Sequence, residues 1–132
     1  MPDIYESVQN KQQPSDMQGK STVWNRNAAL EALDGDEDVL KSLASVLERE
    51  LRERLQALNT AISTGDLEQL RRTAHACKNS AGVMRLDLLR AAAATTEGAE
   101  SAAIAEAAQK LRSAMQEAVQ ALAADMEQGK TA

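Results

Sequence analysis

The chain has 132 residues, enough for one domain with a single hydrophobic core. It contains no phenylalanine, one tryptophan and one tyrosine, so aliphatic side chains and methionine must build that core. The formal net charge of −5 argues against a nucleic acid or an anionic membrane as the partner, and a single cysteine and a single histidine exclude an intrachain disulfide and a zinc-type metal site.

The first 21 residues, MPDIYESVQNKQQPSDMQGKS, are polar and carry no apolar period. This composition predicts a disordered tail or a linker over 1–21, followed by one folded domain over 22–128. The sequence lacks a basic segment followed by an apolar run, and it lacks any run of about 18 apolar residues. We therefore expect a cytoplasmic protein, or a cytoplasmic piece of one, without a signal peptide or a membrane span.

Apolar spacing next predicts a short helix over 25–33 and, after the turn DGDED at 34–38, a long helix over about 37–63 with Asp36 as its N-cap. The stripe of the long helix consists of Leu40, Leu43, Leu47, Leu51, Leu55, Leu58 and Ile62. Gly65 ends this helix, and Asp66 with Gln69 has the form of a capping box for the third.

The third stripe consists of Leu67, Leu70, Ala74, Cys77, Ala81, Met84 and Leu88. Its period continues to about residue 97, but a helix of that length is long for a compact domain, so we predict a break around Met84–Leu86. Gly98 ends the fourth segment, and Ser101 is predicted to cap the last helix. The last stripe consists of Ile104, Ala108, Leu111, Met115, Val119, Leu122 and Met126.

Four amphipathic segments with short connections favour an all-α fold, namely an antiparallel up-and-down four-helix bundle with a short extra N-terminal helix. Burying one leucine of such a stripe contributes roughly 1.5–3 kcal/mol. Because one bundle can bury all of its own stripes, we expect a monomer.

The segment HACKNSAG at 75–82 holds the histidine, which falls beside the core stripe of the third helix and should be at least partly exposed. Arg71, His75, Lys78 and Gly82 follow one line along the helix, with Asn79 next to them. Lys78 and Arg71 can therefore reach an anion on the ring. Gly82 costs about 0.8–1 kcal/mol of helix propensity, which makes sense if another molecule approaches the backbone there.

Residues 71–90 carry a net charge of +4 in a chain whose total is −5, which indicates an anionic ligand or partner face. A hydrolytic triad lacks its nucleophile, since Cys77 lies on the core stripe and Ser80 flanks it. A neutral imidazole can instead take a phosphoryl group and surrender it, with Lys78 and Arg71 offsetting the added charge. An ordinary surface histidine is the alternative. No nucleotide-binding motif of the type G-x-x-x-x-G-K-[ST] occurs.

This segment resembles the histidine-containing phosphotransfer (HPt) domains of two-component phosphorelays, in which a histidine is followed by any residue, an apolar residue, lysine, glycine and two small residues. Here the pattern reads His75, Ala76, Cys77, Lys78, Asn79, Ser80, Ala81. Residues 24–50 are similar to the family's opening, a short helix, a turn and a long helix, and the resemblance covers roughly residues 23–125.

The resemblance implies a phosphotransfer intermediate without kinase activity of its own, which is phosphorylated on Nε2 of His75. Donor and acceptor would be aspartates of receiver domains, and a hybrid sensor histidine kinase would be a further partner. Lys78 would support the phosphoryl group, and Gly82 would give the receiver room to dock. No cofactor is expected on this chain, because the magnesium ion of such a transfer belongs to the receiver.

Two positions depart from the family pattern. Asn79 stands where glycine is usual, and Arg85 stands where a glycine often ends the helix. A left-handed Arg85 would cost on the order of 1 kcal/mol, unless the helix continues through it. We assign both residues, with Arg71 and Gly82, to partner docking. The open alternatives are a helical interaction module whose histidine is incidental, and a relative that binds receivers or other signalling domains without accepting phosphate.

Overall fold

The boundaries of the helices follow from local capping chemistry. A computed structural model describes residues 22–131, with side chains as far as residue 127, and the tail or linker predicted over 1–21 lies outside the described residues. The described part is helical throughout and contains no strand. Its helices are α1 (Arg26–Ala32), α2 (Glu37–Thr64), α3 (Leu67–Met84), α4 (Asp87–Gly98) and α5 (Ile104–Thr131).

Both predicted aspartate caps are confirmed. The side chain of Asp36 accepts a hydrogen bond from the backbone N–H of Val39 at 3.2 Å, and that of Asp66 accepts one from Gln69 at 3.1 Å. The amide of Gln69 donates to Thr73 Oγ1 at 3.4 Å, so only half of the predicted capping box is present. Gly65 ends α2 in the left-handed conformation, with φ of 69°.

The predicted break in the long apolar period is also confirmed, because α3 ends at Met84 and α4 begins at Asp87. Arg85 takes the left-handed conformation at the end of α3, with φ of 60° and ψ of 41°. For a residue with a Cβ atom this conformation costs about 1 kcal/mol. Ser101 lies in the turn before α5, which begins only at Ile104, so the predicted serine cap was wrong.

The core lies among α2, α3, α4 and α5, since α2 packs on α3 and α5, and α4 packs on the same two helices. Its largest fully buried side chains are Leu40, Leu51, Leu58, Cys77, Leu86, Leu89, Thr96, Ile104, Leu111, Met115 and Leu122. Leu43 was expected in this core, but it is 37% exposed, beside the exposed Val39 and Val46. It lies at the edge of the stripe, and the small side chain of Ala44 faces the core instead.

A strap formed by residues 22–25 crosses the turn between α3 and α4. Trp24 Nε1 donates a hydrogen bond to the carbonyl oxygen of Met84 at 2.9 Å. The backbone N–H of Asn25 donates to the carbonyl oxygen of Arg85, also at 2.9 Å. The carbonyl oxygen of Thr22 accepts from the N–H of Leu88 at 2.9 Å. The strap therefore pairs backbone groups at the ends of two helices that have no partner within those helices.

Helix α1 continues this strap and lies against α2 and α3. Arg26 in its first turn forms ion pairs with Glu37 at 2.7 Å and with Asp125 at 2.8 Å, so it joins α1 to the beginning of α2 and to α5. The hydrogen bond from Arg26 lowers the pKa of the Glu37 carboxyl. Over the described residues, none of the helices combines the length and apolar character that a membrane crossing requires.

Candidate functional site

His75 lies on α3 with 57% of its side chain exposed, in agreement with the position predicted for it beside the core stripe. Ala74 and Cys77, its neighbours on the buried side of the helix, are fully buried. The imidazole is therefore held at the surface by a backbone whose opposite face is fixed in the core. A second protein can reach the ring without any rearrangement of the helices.

Glu97 on α4 contacts both candidate chemical groups of α3. Its Oε2 lies 2.6 Å from Nδ1 of His75, and its Oε1 lies 2.6 Å from Nζ of Lys78. His75 and Glu97 are each eleven residues from Leu86, in the turn between the two helices. Residues equally distant from a tight turn lie opposite each other when the helices fold back, and this explains why Glu97 reaches the ring.

The electrostatics of this cluster determine which nitrogen of the ring is free. The hydrogen bond from Lys78, followed by that from His75, lowers the pKa of the Glu97 carboxyl below its ordinary value of 4.5. An ionised carboxylate can only accept hydrogen bonds, so Nδ1 of His75 carries the proton in this contact. In the neutral ring the lone pair is then on Nε2, the nitrogen that the family resemblance predicts as the phosphoacceptor.

Asn79 stands one helical turn beyond the histidine, and its amide nitrogen is 3.4 Å from Nε2. A hydrogen bond at this distance is weak. The amide group therefore borders Nε2 and is bound to it only weakly. It is the one side chain of the described residues with a polar atom near Nε2.

Arg71 makes a contact within the chain that its position on the helix did not indicate. Its Nη2 donates a hydrogen bond to the carbonyl oxygen of Ala99 at 2.5 Å, just beyond the end of α4. The side chain is partly buried in this contact. Arg71 thus joins α3 to the end of α4 close to Glu97, and its assignment to partner docking stays a prediction.

A shallow cavity of about 390 Å³, which we call the Gly82 notch, adjoins the histidine along α3. It is lined by Lys78, Asn79, Gly82, Val83, Arg85 and Arg90. A Cβ atom built on Gly82 would lie 3.6 Å from the nearest atom, Nε of Arg90, which is an ordinary contact. Packing within the chain therefore leaves room for a Cβ atom at position 82.

Sequence reasoning missed Val83 and Glu97 in this region, and it counted Arg90 only within the basic stretch 71–90. Glu97 lies as many residues after Leu86 as His75 lies before it, and Arg90 lies as many after Leu86 as Gly82 lies before it. These equal separations were the signal that could have indicated both residues. No group of three or more His, Cys, Asp or Glu side chains within residues 22–127 is arranged to hold a metal ion. Burial raises the pKa of the Cys77 thiol to about 11, so this cysteine is a poor nucleophile.

Comparison with protein families identifies the family of the chain. A family model described as the Hpt domain matches residues 42–128, about two thirds of the chain, from within α2 to within α5. The search of curated proteins and the search of solved structures returned no match. The matched region contains His75, Lys78 and Glu97, and it leaves the strap and α1 outside.

Proposed function

Because the chain belongs to the Hpt domain family, whose members serve histidine phosphotransfer in two-component signalling, we propose that His75 accepts a phosphoryl group from a receiver aspartate and passes it to another receiver. The observation that carries this proposal is the state of the ring. His75 is 57% exposed, its Nδ1 is occupied by Glu97 at 2.6 Å, and its Nε2 has only a weak contact, with the Asn79 amide at 3.4 Å, to exchange for an incoming phosphoryl group.

The transfer step follows from these contacts. The lone pair of Nε2 attacks the phosphorus atom of the receiver's aspartyl phosphate, the P–N bond forms, and the P–O bond to the aspartate breaks. The aspartate leaves as a carboxylate, and the proton on Nδ1 stays in place. The positive charge that develops on the ring is stabilised by the Glu97 carboxylate. In the reverse direction the carboxylate of a second receiver attacks the phosphorus and Nε2 leaves.

Lys78 and Asn79 are the groups that meet the phosphoryl oxygens. In the resting protein Lys78 is held by Glu97 at 2.6 Å, which positions its ammonium group one helical turn from His75. In the phosphorylated protein Lys78 exchanges part of this contact for a phosphoryl oxygen, and the Asn79 amide moves aside and donates to another. The magnesium ion that assists such a transfer would be bound by the receiver, and this chain would supply no ligand for it.

Several further assignments belong to the same proposal. The chain acts without kinase activity of its own, works in the cytoplasm as a monomer, and exchanges phosphate with receiver domains and a hybrid sensor histidine kinase. Its folded domain spans 22–128, and the four long helices form an antiparallel up-and-down bundle. The contacts of α2 and α4 with both α3 and α5 support this arrangement.

The direct test is incubation with receiver domains that have been phosphorylated with labelled acetyl phosphate. Label should move to the wild-type protein, be lost in acid, survive base, and be absent from His75→Gln. Label that remains on His75→Gln would contradict the proposal. A receiver that binds without transferring label would favour the alternative, a phosphorylation-incompetent binding module, for which the contact of Asn79 with Nε2 is the motive.

Replacing Lys78 with alanine is expected to slow the transfer about tenfold or more, because the phosphoryl group loses its nearest cation. Stability should change little, since the side chain is 34% exposed and its ion pair lies at the surface. Rapid-quench labelling and thermal unfolding measure the two effects. Lys78→Arg, which keeps the charge, is the control, and a large drop in melting temperature for Lys78→Ala would show a structural role instead.

A further inference from the structure

Arg85 gives the first indication that a specific partner binds beside His75. It adopts a left-handed conformation that glycine adopts without strain, and its side chain is exposed. Within the part of the chain that the structure describes, this side chain makes no hydrogen bond and no ion pair. An arginine at a strained position that gains nothing inside its own protein points to a contact with another molecule.

Arg90 gives a second, independent sign. It lies over Gly82 from α4, is exposed, and likewise has no ion pair among the described residues. The chain has 20 acidic residues against 15 basic ones, so acidic partners within the chain are plentiful. Two guanidinium groups without such a partner on one side of a single cavity form a local positive field, which attracts and orients an acidic surface.

Val83 supplies an apolar contact in the same place. It is 69% exposed, more than any other large hydrophobic residue of the described part, and it borders the Gly82 notch. Position 82 contributes no side chain to the notch, and the Arg90 side chain from α4 is its nearest neighbour. Lys78 and Asn79 line the notch and also contact the groups around His75, so the notch is continuous with the phosphoacceptor site.

We propose that the Gly82 notch receives a carboxylate-bearing segment of the receiver domain, with Arg85 and Arg90 as the contacts that select the receiver and Val83 as an apolar contact in the same notch. This inference rests on the proposed function. A receiver needs an acceptor aspartate and further carboxylates to hold its magnesium ion, so its docking face is acidic close to the reacting atoms. The two arginines then meet carboxylates that flank the acceptor.

The experiment uses the receiver domains of the same genome, phosphorylated with acetyl phosphate, and takes as its probe the receiver that transfers fastest to the wild-type protein. Binding of that receiver is measured for Arg85→Gly, for Gly82→Gln and for the double variant Arg85→Glu/Arg90→Glu. Arg49→Glu, which reverses an exposed arginine of α2 outside the notch, is the matched control. Labelling of His75 by phosphoramidate, a small phosphoryl donor that needs no docking, is measured for every variant.

We expect the double reversal to weaken the receiver's Kd about tenfold or more and to remove most of its salt dependence, while Arg49→Glu changes neither. Arg85→Gly should weaken binding and leave the melting temperature equal or higher, because it relieves the left-handed strain. Gly82→Gln should weaken binding by filling the notch, with its helix intact. Labelling by phosphoramidate should persist in all variants and fall much less than receiver binding does, because this small donor does not need to fill the notch.

The two proposals fail in different ways. Absence of phosphoramidate labelling on wild-type His75 would overturn the proposed function and the docking inference with it. Normal labelling with unchanged receiver binding in the double reversal would overturn the docking inference alone. The same conclusion would follow if Arg49→Glu weakened binding as much as the double reversal. If no receiver transferred phosphate to a protein that phosphoramidate labels, the proposed function would fail together with the docking inference.

Discussion

Replacing Glu97 with alanine is expected to slow phosphoryl transfer to His75 by on the order of 10- to 100-fold. The variant loses the acceptor that holds the proton on Nδ1 at 2.6 Å and the anion that positions Lys78 at 2.6 Å. The ring can then rotate and carry its proton on Nε2, which removes the nucleophilic lone pair. Glu97→Gln keeps an acceptor oxygen but no charge, so its rate should lie between those of wild type and Glu97→Ala.

The state of the ring can be measured directly, because His75 is the single histidine of the chain. Nitrogen-15 NMR of the imidazole should show the Nδ1–H tautomer in the wild type and a mixture of tautomers in Glu97→Ala. Glu106→Ala, which removes another exposed glutamate from a surface ion pair, is the control and should change neither tautomer nor rate. An unchanged tautomer in Glu97→Ala would contradict the positioning role, whatever the transfer rate.

The lowered pKa of Glu97 gives this prediction a pH dependence with a definite sign. The folded protein holds the carboxyl ionised below its ordinary pKa of 4.5, so the stabilisation is fully present above that value and is lost as the pH falls through the folded pKa. Urea unfolding should therefore separate wild type from Glu97→Gln at pH 6, and the difference should shrink steadily as the pH falls below 4.5. A difference that stays constant over this fall in pH would assign the effect to packing.

The helix boundaries could be predicted from the sequence where one residue decides them. Asp36 and Asp66 cap helices because a short acidic side chain can reach a free N–H three residues ahead, and this needs no knowledge of the tertiary structure. Ser101 has the same chemistry, yet α5 begins only at Ile104. A capping residue thus marks where a helix can begin, and packing of the apolar side chains decides where it does.

From the sequence, only the part of the site that lies on a single helix could be predicted. His75, Lys78 and Gly82 share a helix face, which the 3.6-residue period gives directly. Glu97 is 22 residues from His75, and its contact with the ring depends on the exact turn at Arg85 and Leu86. An extra residue in that turn would rotate α4 and move the carboxylate away. Sequence periodicity predicts which face is buried, but it does not give the register between two helices.

Replacing Trp24 with alanine is expected to lower the free energy of unfolding by about 2–4 kcal/mol, which is somewhat less than the loss for a fully buried tryptophan. The melting temperature should fall by on the order of 10 °C. The half-buried indole packs on the core and donates its N–H to the carbonyl oxygen of Met84 at 2.9 Å. Its removal leaves an apolar gap beside the left-handed turn at Arg85 and weakens the strap that pairs Leu88 with Thr22.

This second prediction tests whether the segment before the family match is part of the folded unit, since that match begins at residue 42. Trp24→Phe keeps most of the apolar contact and loses the hydrogen bond, so it should cost about 1 kcal/mol. Circular dichroism follows unfolding in both variants, and the fluorescence of the single tryptophan follows it in the wild type. If the indole became solvent-exposed well before the helices unfolded, the strap would be an attachment to an independent bundle. Coincident transitions would show that the strap is part of one cooperative domain. The α3–α4 turn and the docking surface beside it would then depend on residues that precede the family match.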